Sequence, residues 1–448
     1  MKSRVIFLVC FLGAWISEAQ TTRLDKEAAF SAALDKNFGI QVSRNQLSIA
    51  KNNASVLNSG FLPTVSAISA ANYNQDNSTI EFPGQFLEDG SPRPNLTLDQ
   101  AEAQRYNTGL QLNYTLFDGM GRRYNYKALK NRYALSELQL RETIENTVIQ
   151  LFSVYFRVAQ LSENSAVLEN ILGLSKRRLT RAEYAFELGQ TNKLAVLNAA
   201  VDVANDSISL LNAQQNLGTA KRDLGVLINS DLQQDFKVDT TVVFLPLQRV
   251  ETLLESAKQN NVQLLLAQTN TRINEYDLKV SQSGFLPRVG LTGSYGWNLN
   301  QSAASAFFPG VNNTNYNIAL GANLTWNLFS GGQTLTRIKN AKLALDNQEI
   351  LQAQQDLSFE RDLMNAWQVY ENSLSIFALQ EALVKTSAVN FKRTEEQYAL
   401  GTITAIEFRQ AQLNLLNAET SNNAAKYIAK LAEYALLQLS GQLLNTDF

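Results

Sequence analysis

Four short stretches of this chain alternate apolar and polar residues with a period of two. After Pro287, Val289, Leu291, Tyr295 and Trp297 fall on one parity, and Arg288, Thr292, Ser294 and Asn298 on the other. Ile318, Leu320, Ala322, Leu324, Trp326 and Leu328 alternate in the same way with Asn317, Asn323, Thr325 and Asn327. Leu110, Leu112, Tyr114 and Leu116 do so against Gln111, Asn113 and Thr115, and a weaker alternation surrounds Val65, Ala67, Ala71 and Tyr73. Successive strand side chains point to opposite faces, so each stretch predicts a strand with one apolar face. We place these strands at about 63–74, 107–118, 287–298 and 317–328. A soluble sandwich alternates too. A membrane-spanning strand needs roughly 9–11 residues with aromatics near its ends, and these four meet that description.

The longer stretches follow a helical period. Ile144, Val148, Leu151, Tyr155 and Val158 step by four and three, as do Leu363, Trp367, Tyr370, Leu374 and Phe377. That spacing makes a coiled-coil seam. The seven prolines stand at 63, 83, 92, 94, 246, 287 and 309, leaving long tracts with no helix breaker. The tracts predict two helices at about 122–187 and 335–400, each roughly 100 Å long at 1.5 Å per residue. Gly189 and Gly401 end them, and return helices follow at about 191–228 and 404–439. Helical stretches at about 23–58 and 248–281 precede the two strand pairs.

The chain repeats itself. Ser59-Gly60-Phe61-Leu62-Pro63 recurs as Ser283-Gly284-Phe285-Leu286-Pro287, an offset of 224. Leu116-Phe117-Asp118-Gly119 recurs as Leu328-Phe329-Ser330-Gly331, an offset of 212 that also carries Phe186-x-x-Gly189 onto Tyr398-x-x-Gly401 and Ala199 onto Ala411. The copies span 20–247 and 248–448, each a helical stretch, two strands and two antiparallel helices.

Residues 1–19 read as an export signal: Lys2 and Arg4, an apolar run from Val5 to Trp15, and a small-x-small site at Ser17-Glu18-Ala19. The mature chain is expected to start at Gln20. The only cysteine, Cys10, then leaves with the signal, unless it is a lipidated first residue, which the preceding Val9 disfavours. The mature net charge is −3, from 37 basic and 40 acidic residues, with no basic excess to suit nucleic acid. Histidine is absent, which removes Ser-His and Cys-His nucleophilic machinery and histidine metal sites. A carboxylate-pair glycosidase would need two acids converging in a cleft, and no such pair is apparent. No cofactor or metal is expected. No later stretch offers roughly twenty apolar residues for a transmembrane helix, so any span must be a closed β-barrel. Four strands cannot close one alone and eight leave an interior just filled by side chains, so a duct needs three chains or more.

The duplicated unit, the Trp326-Asn327-Leu328-Phe329-Ser330-Gly331-Gly332 run, Tyr398-x-x-Gly401 before Thr404 to Ala411, and Tyr434-Ala435-Leu436-Leu437-Gln438-Leu439-Ser440-Gly441 resemble the TolC-like outer-membrane efflux family. The resemblance covers nearly all of the mature chain and rests on the order and spacing of the motifs together. It implies an α+β membrane protein in which three protomers complete a twelve-stranded barrel on a long α-helical periplasmic tunnel. A homotrimer, outer-membrane lipid, a periplasmic adaptor (a membrane fusion protein) and an inner-membrane pump are the implied partners, and the cargo leaves unchanged. The alternative is a periplasmic coiled-coil scaffold or adaptor, which explains the helices but not the four strands.

The resemblance also implies a gate where the last helix pair turns. The family's two acidic positions fall on Glu407 and Gln410, so one carboxylate remains. Glu407 reads either as one third of an acidic ring that attracts cations or as a solvated helix residue. Of the family's gate links only Tyr398 matches, because Ala195 and Ile403 stand where an aspartate and an arginine are expected. Apolar closure through Leu194, Ile403 and Ile406 is the replacement expectation, and Ile403→Arg would then raise conductance. Gly189, Gln190, Thr191, Gly401 and Thr402 are the adaptor-docking candidates, and are helix-reversal residues in any case. The lipid-facing candidates are Leu110, Leu112, Tyr114, Val289, Leu291, Tyr295, Trp297, Leu320, Leu324 and Trp326. Gly119-Met120-Gly121 and Gly331-Gly332 lack a following Gly-Lys-Ser/Thr and read as turns rather than phosphate loops. Arg122, Arg123, Lys127, Lys130 and Arg132 suit either anionic headgroups or plain solvent. Residues 75–105, which are acidic, and 299–315 are expected as external loops.

Overall fold

The computed structural model describes residues 22–233, 235–246, 248–304 and 309–446. The expected signal at 1–19, with Cys10, and the expected start at Gln20 lie outside them. In chain order the first copy holds β1 (Thr22–Leu24), α1 (Lys26–Lys36), α2 (Phe38–Asn53), β2 (Thr64–Ile80), β3 (Leu96–Phe117), α3 (Gly121–Glu187) and α4 (Lys193–Leu227). Then come β4 (Phe236–Val238), α5 (Val250–Asn260), α6 (Val262–Gln282), β5 (Arg288–Ser302), β6 (Val311–Thr325), α7 (Gln333–Ala399) and α8 (Ala405–Leu439). The chain divides into two compact units, one from 1–45, 138–265 and 355–448, the other from 46–137 and 266–354.

The second unit carries the four-stranded sheet, an antiparallel meander in the order β2-β3-β5-β6. β3 is 22 residues long, reaching back to Leu96 where the alternation predicts a start near 107. β2 likewise continues to Ile80. Much of the expected 75–105 loop is therefore paired strand. Its residues are mostly polar, with Ile80, Leu96 and Leu98 as the large apolar exceptions, so backbone pairing more than a continuous alternation defines it. A bulge between Asp76 and Ser78 and a left-handed Gln100 bend this extension, where Asn77 Oδ1 accepts the Gln100 amide at 2.5 Å. A second bulge between Thr115 and Phe117 takes Leu116 out of the alternation.

In the first unit the coiled-coil seams are buried. Val148, Leu151, Tyr155 and Val158 of α3 join Tyr427, Tyr434 and Leu437 of α8 in the main core. Phe152 lies 4.9 Å from Tyr434 between ring centroids, and Phe156 stacks on Tyr427 at 5.5 Å. Leu363 and Tyr370 of α7 pack with Leu253 and Ala257 of α5 in a second cluster. Burial of such side chains contributes about 1.5–3 kcal/mol each.

Both expected leading helices are broken in two, at Asn37 and at Asn261, positions 224 apart. Each asparagine leaves the helical region, and its Oδ1 caps the next helix by accepting two backbone amides, from Gly39 and Ile40 or from Gln263 and Leu264. Each Nδ2 donates to the last turn of a return helix, at Leu227 O (3.1 Å) or Leu439 O (2.9 Å). The duplication therefore extends to hydrogen bonds.

A strap without helix or strand at residues 239–246 and 248–249 leads from the first copy to the second, and side chains hold its backbone. Tyr155 Oη donates to Leu24 O at 2.8 Å and accepts from the Asp239 amide at 2.9 Å. Trp367, which is 212 residues on from Tyr155, donates to Gln248 O at 2.9 Å. Lys430 donates to Val243 O at 2.8 Å, and Glu433 accepts from the Leu245 amide at 3.0 Å and from Tyr370 at 2.9 Å. The strap leads out of β4, which pairs in parallel with β1 over three residues, a contact the sequence pattern does not announce.

α4 also departs from expectation. It contains an 18-residue window of mean hydropathy 1.3, apolar and long enough by composition to cross a membrane. Asp202 and Asp206 interrupt its apolar run and pair with arginines of α3 and α8.

Candidate functional site

The sheet register gathers the apolar strand residues on one face. Leu110 pairs with Tyr295 and Tyr114 with Leu291 across β3 and β5. Val289 pairs with Leu324 and Trp297 with Tyr316 across β5 and β6. Gly293 lies between Leu112 and Leu320, so all of these share that face. The opposite face carries amides: Asn107 opposite Asn298, Asn317 opposite Gly296, and Asn323 opposite Gly290. Gly109 and Gly296 face each other there, and a Cβ on Gly109 would stand 2.8 Å from the Tyr295 carbonyl oxygen. Trp326 falls outside the alternation, one residue beyond β6, and its indole N–H donates to Phe285 O at 3.0 Å. Leu320 is 85% exposed in the single chain. Among the described residues, β2 and β6 each have one strand neighbour, which leaves two open edges.

The hairpin turns of the first unit are near copies. Gly189 and Gly401 take φ of 72° and 74°, the left-handed region where glycine avoids the Cβ clash. The following amide bonds back five residues, Gln190 N to Ala185 O (2.7 Å) and Thr402 N to Gln397 O (3.1 Å), closing the helix end as a Schellman motif. Nothing lies within 4 Å of a Cβ built on either glycine, so both turns face open space. Leu188 and Leu400, just before them, are 72% and 79% exposed. The periodicity does not mark this matched pair.

The expected gate residues are dispersed. Glu407 closes a capping box: its carboxylate accepts the Thr404 amide at 2.8 Å and hydroxyl at 2.9 Å, while Thr404 Oγ1 accepts the Glu407 amide at 3.2 Å. Those backbone and side-chain hydrogen bonds hold its pKa below the ordinary carboxylate value. Gln410 bonds Asn414 one turn on, at 2.9 Å. Tyr398 stacks on Phe408 at 4.7 Å beneath the Arg181 guanidinium, and Ile403 packs against the same cluster. Leu194 and Ile406 stay exposed, so the three apolar residues do not form one group. Ala195 sits in the first turn of α4, where its amide is capped by Asn192 Oδ1 at 3.1 Å. Thr191 immediately precedes that cap.

Behind the turns lies a charge cluster that no local pattern predicts. Arg409 Nη2 of α8 meets Asp206 Oδ1 of α4 at 2.7 Å, and its Nη1 meets Asp206 Oδ2 at 2.9 Å. Ser175 of α3 donates to Asp206 Oδ2 at 2.5 Å, and Gln412 donates to Ser175 Oγ at 3.1 Å and to Ile171 O at 3.2 Å. Arg178 pairs with Asp202. Burial first, and then the neighbouring Arg409, lower the Arg178 pKa. The two arginines and two aspartates balance, and the cluster ties one hairpin to the other through a bidentate guanidinium–carboxylate fork.

Comparisons with known proteins agree with this architecture. Residues 29–230 and 253–442 match the family described as Outer membrane efflux protein, one match for each copy of the repeat. The outer membrane efflux protein BepC of Brucella suis is 24% identical over 354 residues, 78% of this chain and 76% of that protein. The outer membrane protein TolC of Vibrio cholerae is 24% identical over 319 residues, 70% and 71% of the two chains. The outer membrane channel CmeC of Campylobacter jejuni superposes with a TM-score of 0.75 at 18% identity, covering 93% of this chain and 85% of that one. With both copies of its duplicated unit matched, this chain belongs to the outer membrane efflux protein family.

Proposed function

We propose that three copies of this chain assemble into a passive exit duct across the outer membrane, with the helices forming a periplasmic conduit. The observation that carries this reading is the sheet: apolar on one face, lined with amides on the other, and open at both edges. Open edges cannot persist in lipid, because each unpaired backbone group there costs several kcal/mol, so strands of other copies must complete the barrel. The helices support the same assembly. Leu343, Ile350, Leu357 and Met364 of α7 recur every seven residues and are about half exposed or more, between 49% and 73%. Leu194, Leu197, Val201, Ile208 and Leu211 mark a similar exposed seam on α4.

In this reading Leu110, Leu112, Tyr114, Val289, Leu291, Tyr295, Trp297, Leu320 and Leu324 face lipid. The Gly189–Thr191 and Gly401–Thr402 turns, with Leu188 and Leu400 beside them, meet a periplasmic adaptor. The cargo passes unaltered. The names of the relatives, efflux proteins and outer-membrane channels, suit this function.

A photoreactive residue at Gln190, activated in living cells, tests it. Capture of a periplasmic adaptor is expected. Outer-membrane trimers that crosslink only to themselves would remove the adaptor from the reading and leave a freestanding pore. Gln190 suits better than Asn192, whose side chain caps α4.

A further inference from the structure

We propose that the strand-to-helix junction of the sheet-bearing unit carries a basic–aromatic collar that binds anionic phospholipid headgroups of the periplasmic leaflet; this rests on the outer-membrane reading above.

The charge is lopsided along the strands. Between Asp118 and Arg132 there are five basic residues and one acid, and between Gln333 and Leu345 three basic residues, Arg337, Lys339 and Lys342, and no acid. The opposite ends of β2 and β3 carry Asp76, Glu81, Glu88, Asp89, Asp99 and Glu102 against Arg93 and Arg105.

Three acids near the junction are already engaged, and Glu275, four residues before Lys279 on α6, makes no ion pair with it. Asp118 accepts from the Arg122 amide and side chain at 2.8 and 3.3 Å, Asp277 pairs with Arg132 at 2.8 Å, and Glu137 accepts from Tyr133. Among the described residues no carboxylate lies within 4.0 Å of the Lys127, Lys130 or Lys279 ammonium. These three contact rings instead. Lys127 and Lys279 flank Tyr276 at 5.7 and 5.3 Å, Lys279 also lies 5.9 Å from Tyr124, and Lys130 covers Tyr126 at 4.7 Å. Two ammonium groups beside one ring, with no carboxylate within 4.0 Å of either, leave cationic charge available to a phosphate diester. The tyrosines bring both an apolar body and a hydroxyl to such an interface.

The depth is right for headgroups. The junction residues Phe285, Trp326, Leu328 and Phe329, just outside the ends of β5 and β6, are 52%, 53%, 80% and 87% exposed and form an apolar rim. Lys279 lies four residues before the turn at Ser283, and Lys127 and Lys130 lie six and nine after Gly121. At 1.5 Å per residue these are about 6, 9 and 14 Å along the helices from the junction turns. The headgroup layer is roughly 5–8 Å thick, and a lysine stem spans the remainder.

The test uses full-length protein in nanodiscs of phosphatidylcholine with 0–30% phosphatidylglycerol, and native mass spectrometry counts the phosphatidylglycerol kept after detergent extraction. Wild type is expected to retain it preferentially at low salt, to lose the preference in 1 M salt, and to keep it against millimolar inorganic phosphate. The triple variant Lys127→Gln/Lys130→Gln/Lys279→Gln should bind it about tenfold to a hundredfold less tightly, from a roughly fivefold contribution per basic residue at an anionic surface. Equal retention by variant and wild type overturns the proposal. So does the absence of any preference in wild type alone, a measurement that does not depend on the variant folding. Displacement by inorganic phosphate would assign the site to the free anion and overturn the lipid. Failure to enter neutral nanodiscs at all would sink the outer-membrane reading instead, which keeps the two outcomes distinct.

Discussion

At the scale of the residue, buried charge decides more than exposed charge. Arg409 is 15% exposed at its side chain and Asp206 6%, and the two meet in a bidentate fork. Removing one partner strands the other in a desolvated site. Arg409→Met should therefore lower unfolding free energy by about 3 kcal/mol. The double variant Arg409→Met/Asp206→Leu should recover a large part of that loss in a denaturant double-mutant cycle. Glu145 gives a pH signature. One of its oxygens accepts from Arg141 Nε at 2.8 Å, the other is buried without a partner, and burial raises its pKa above the ordinary carboxylate value. A raised folded pKa means that the native state takes up the proton first as pH falls. Stability relative to Glu145→Gln is thus expected to rise as pH falls through the raised pKa towards the ordinary one, and to be lowest at neutral pH. Parallel unfolding curves at each pH would refute this.

At the scale of the element, the ends of the helices carry the information. The α8 capping box joins Thr404 and Glu407 reciprocally, so Thr404→Ala should cost that helix about 1 kcal/mol, read as faster amide exchange over its first turn. The depressed Glu407 pKa adds a sign. Its half of the box is present above the ordinary carboxylate pKa and is lost as pH falls through the lower folded value. The exposed seam of α7 makes a separate prediction. Ile350→Asp places a charge in a heptad position that is 67% exposed in one chain, so monomer stability should change little while the oligomer dissociates in sedimentation. An unchanged sedimentation profile would remove that seam from the interface.

For the whole molecule, duplication explains why distant contacts come in pairs. Asn37 and Asn261 cap and tether alike, and the Gly189 and Gly401 turns close alike. Tyr155 and Trp367, in matched positions, both grip the strap. The copies diverge where chemistry differs: Arg409 of the second copy reaches Asp206 of the first, so the tie between hairpins is asymmetric. If this tie also restrains the proposed conduit, Arg409→Met raises single-channel conductance in a planar bilayer as well as lowering stability. Altered stability with unchanged conductance would confine the cluster to structure.

The sequence by itself determined the elements whose pattern is local. Period two marked the strands around Leu110, Val289 and Leu320, steps of four and three marked the seams through Leu151 and Leu363, and Gly189 and Gly401 marked the reversals, because each depends on neighbours a few residues away. The repeat offsets then carried the family resemblance. Tertiary structure alone decided what depends on partners far along the chain. The β2–β3 extension is mostly polar and is marked by its backbone pairing rather than by a continuous alternation. The Asn37 and Asn261 breaks look like ordinary helix residues until their amides find carbonyls 190 and 178 positions away. Glu407 and Ile403 took their places from a cap and from an aromatic cluster, not from the spacing that nominated them. Asp206 in an apolar helix and Arg409 on another have no meaning apart, since a buried charge is tolerable only beside its counter-ion, and that counter-ion is 203 residues distant.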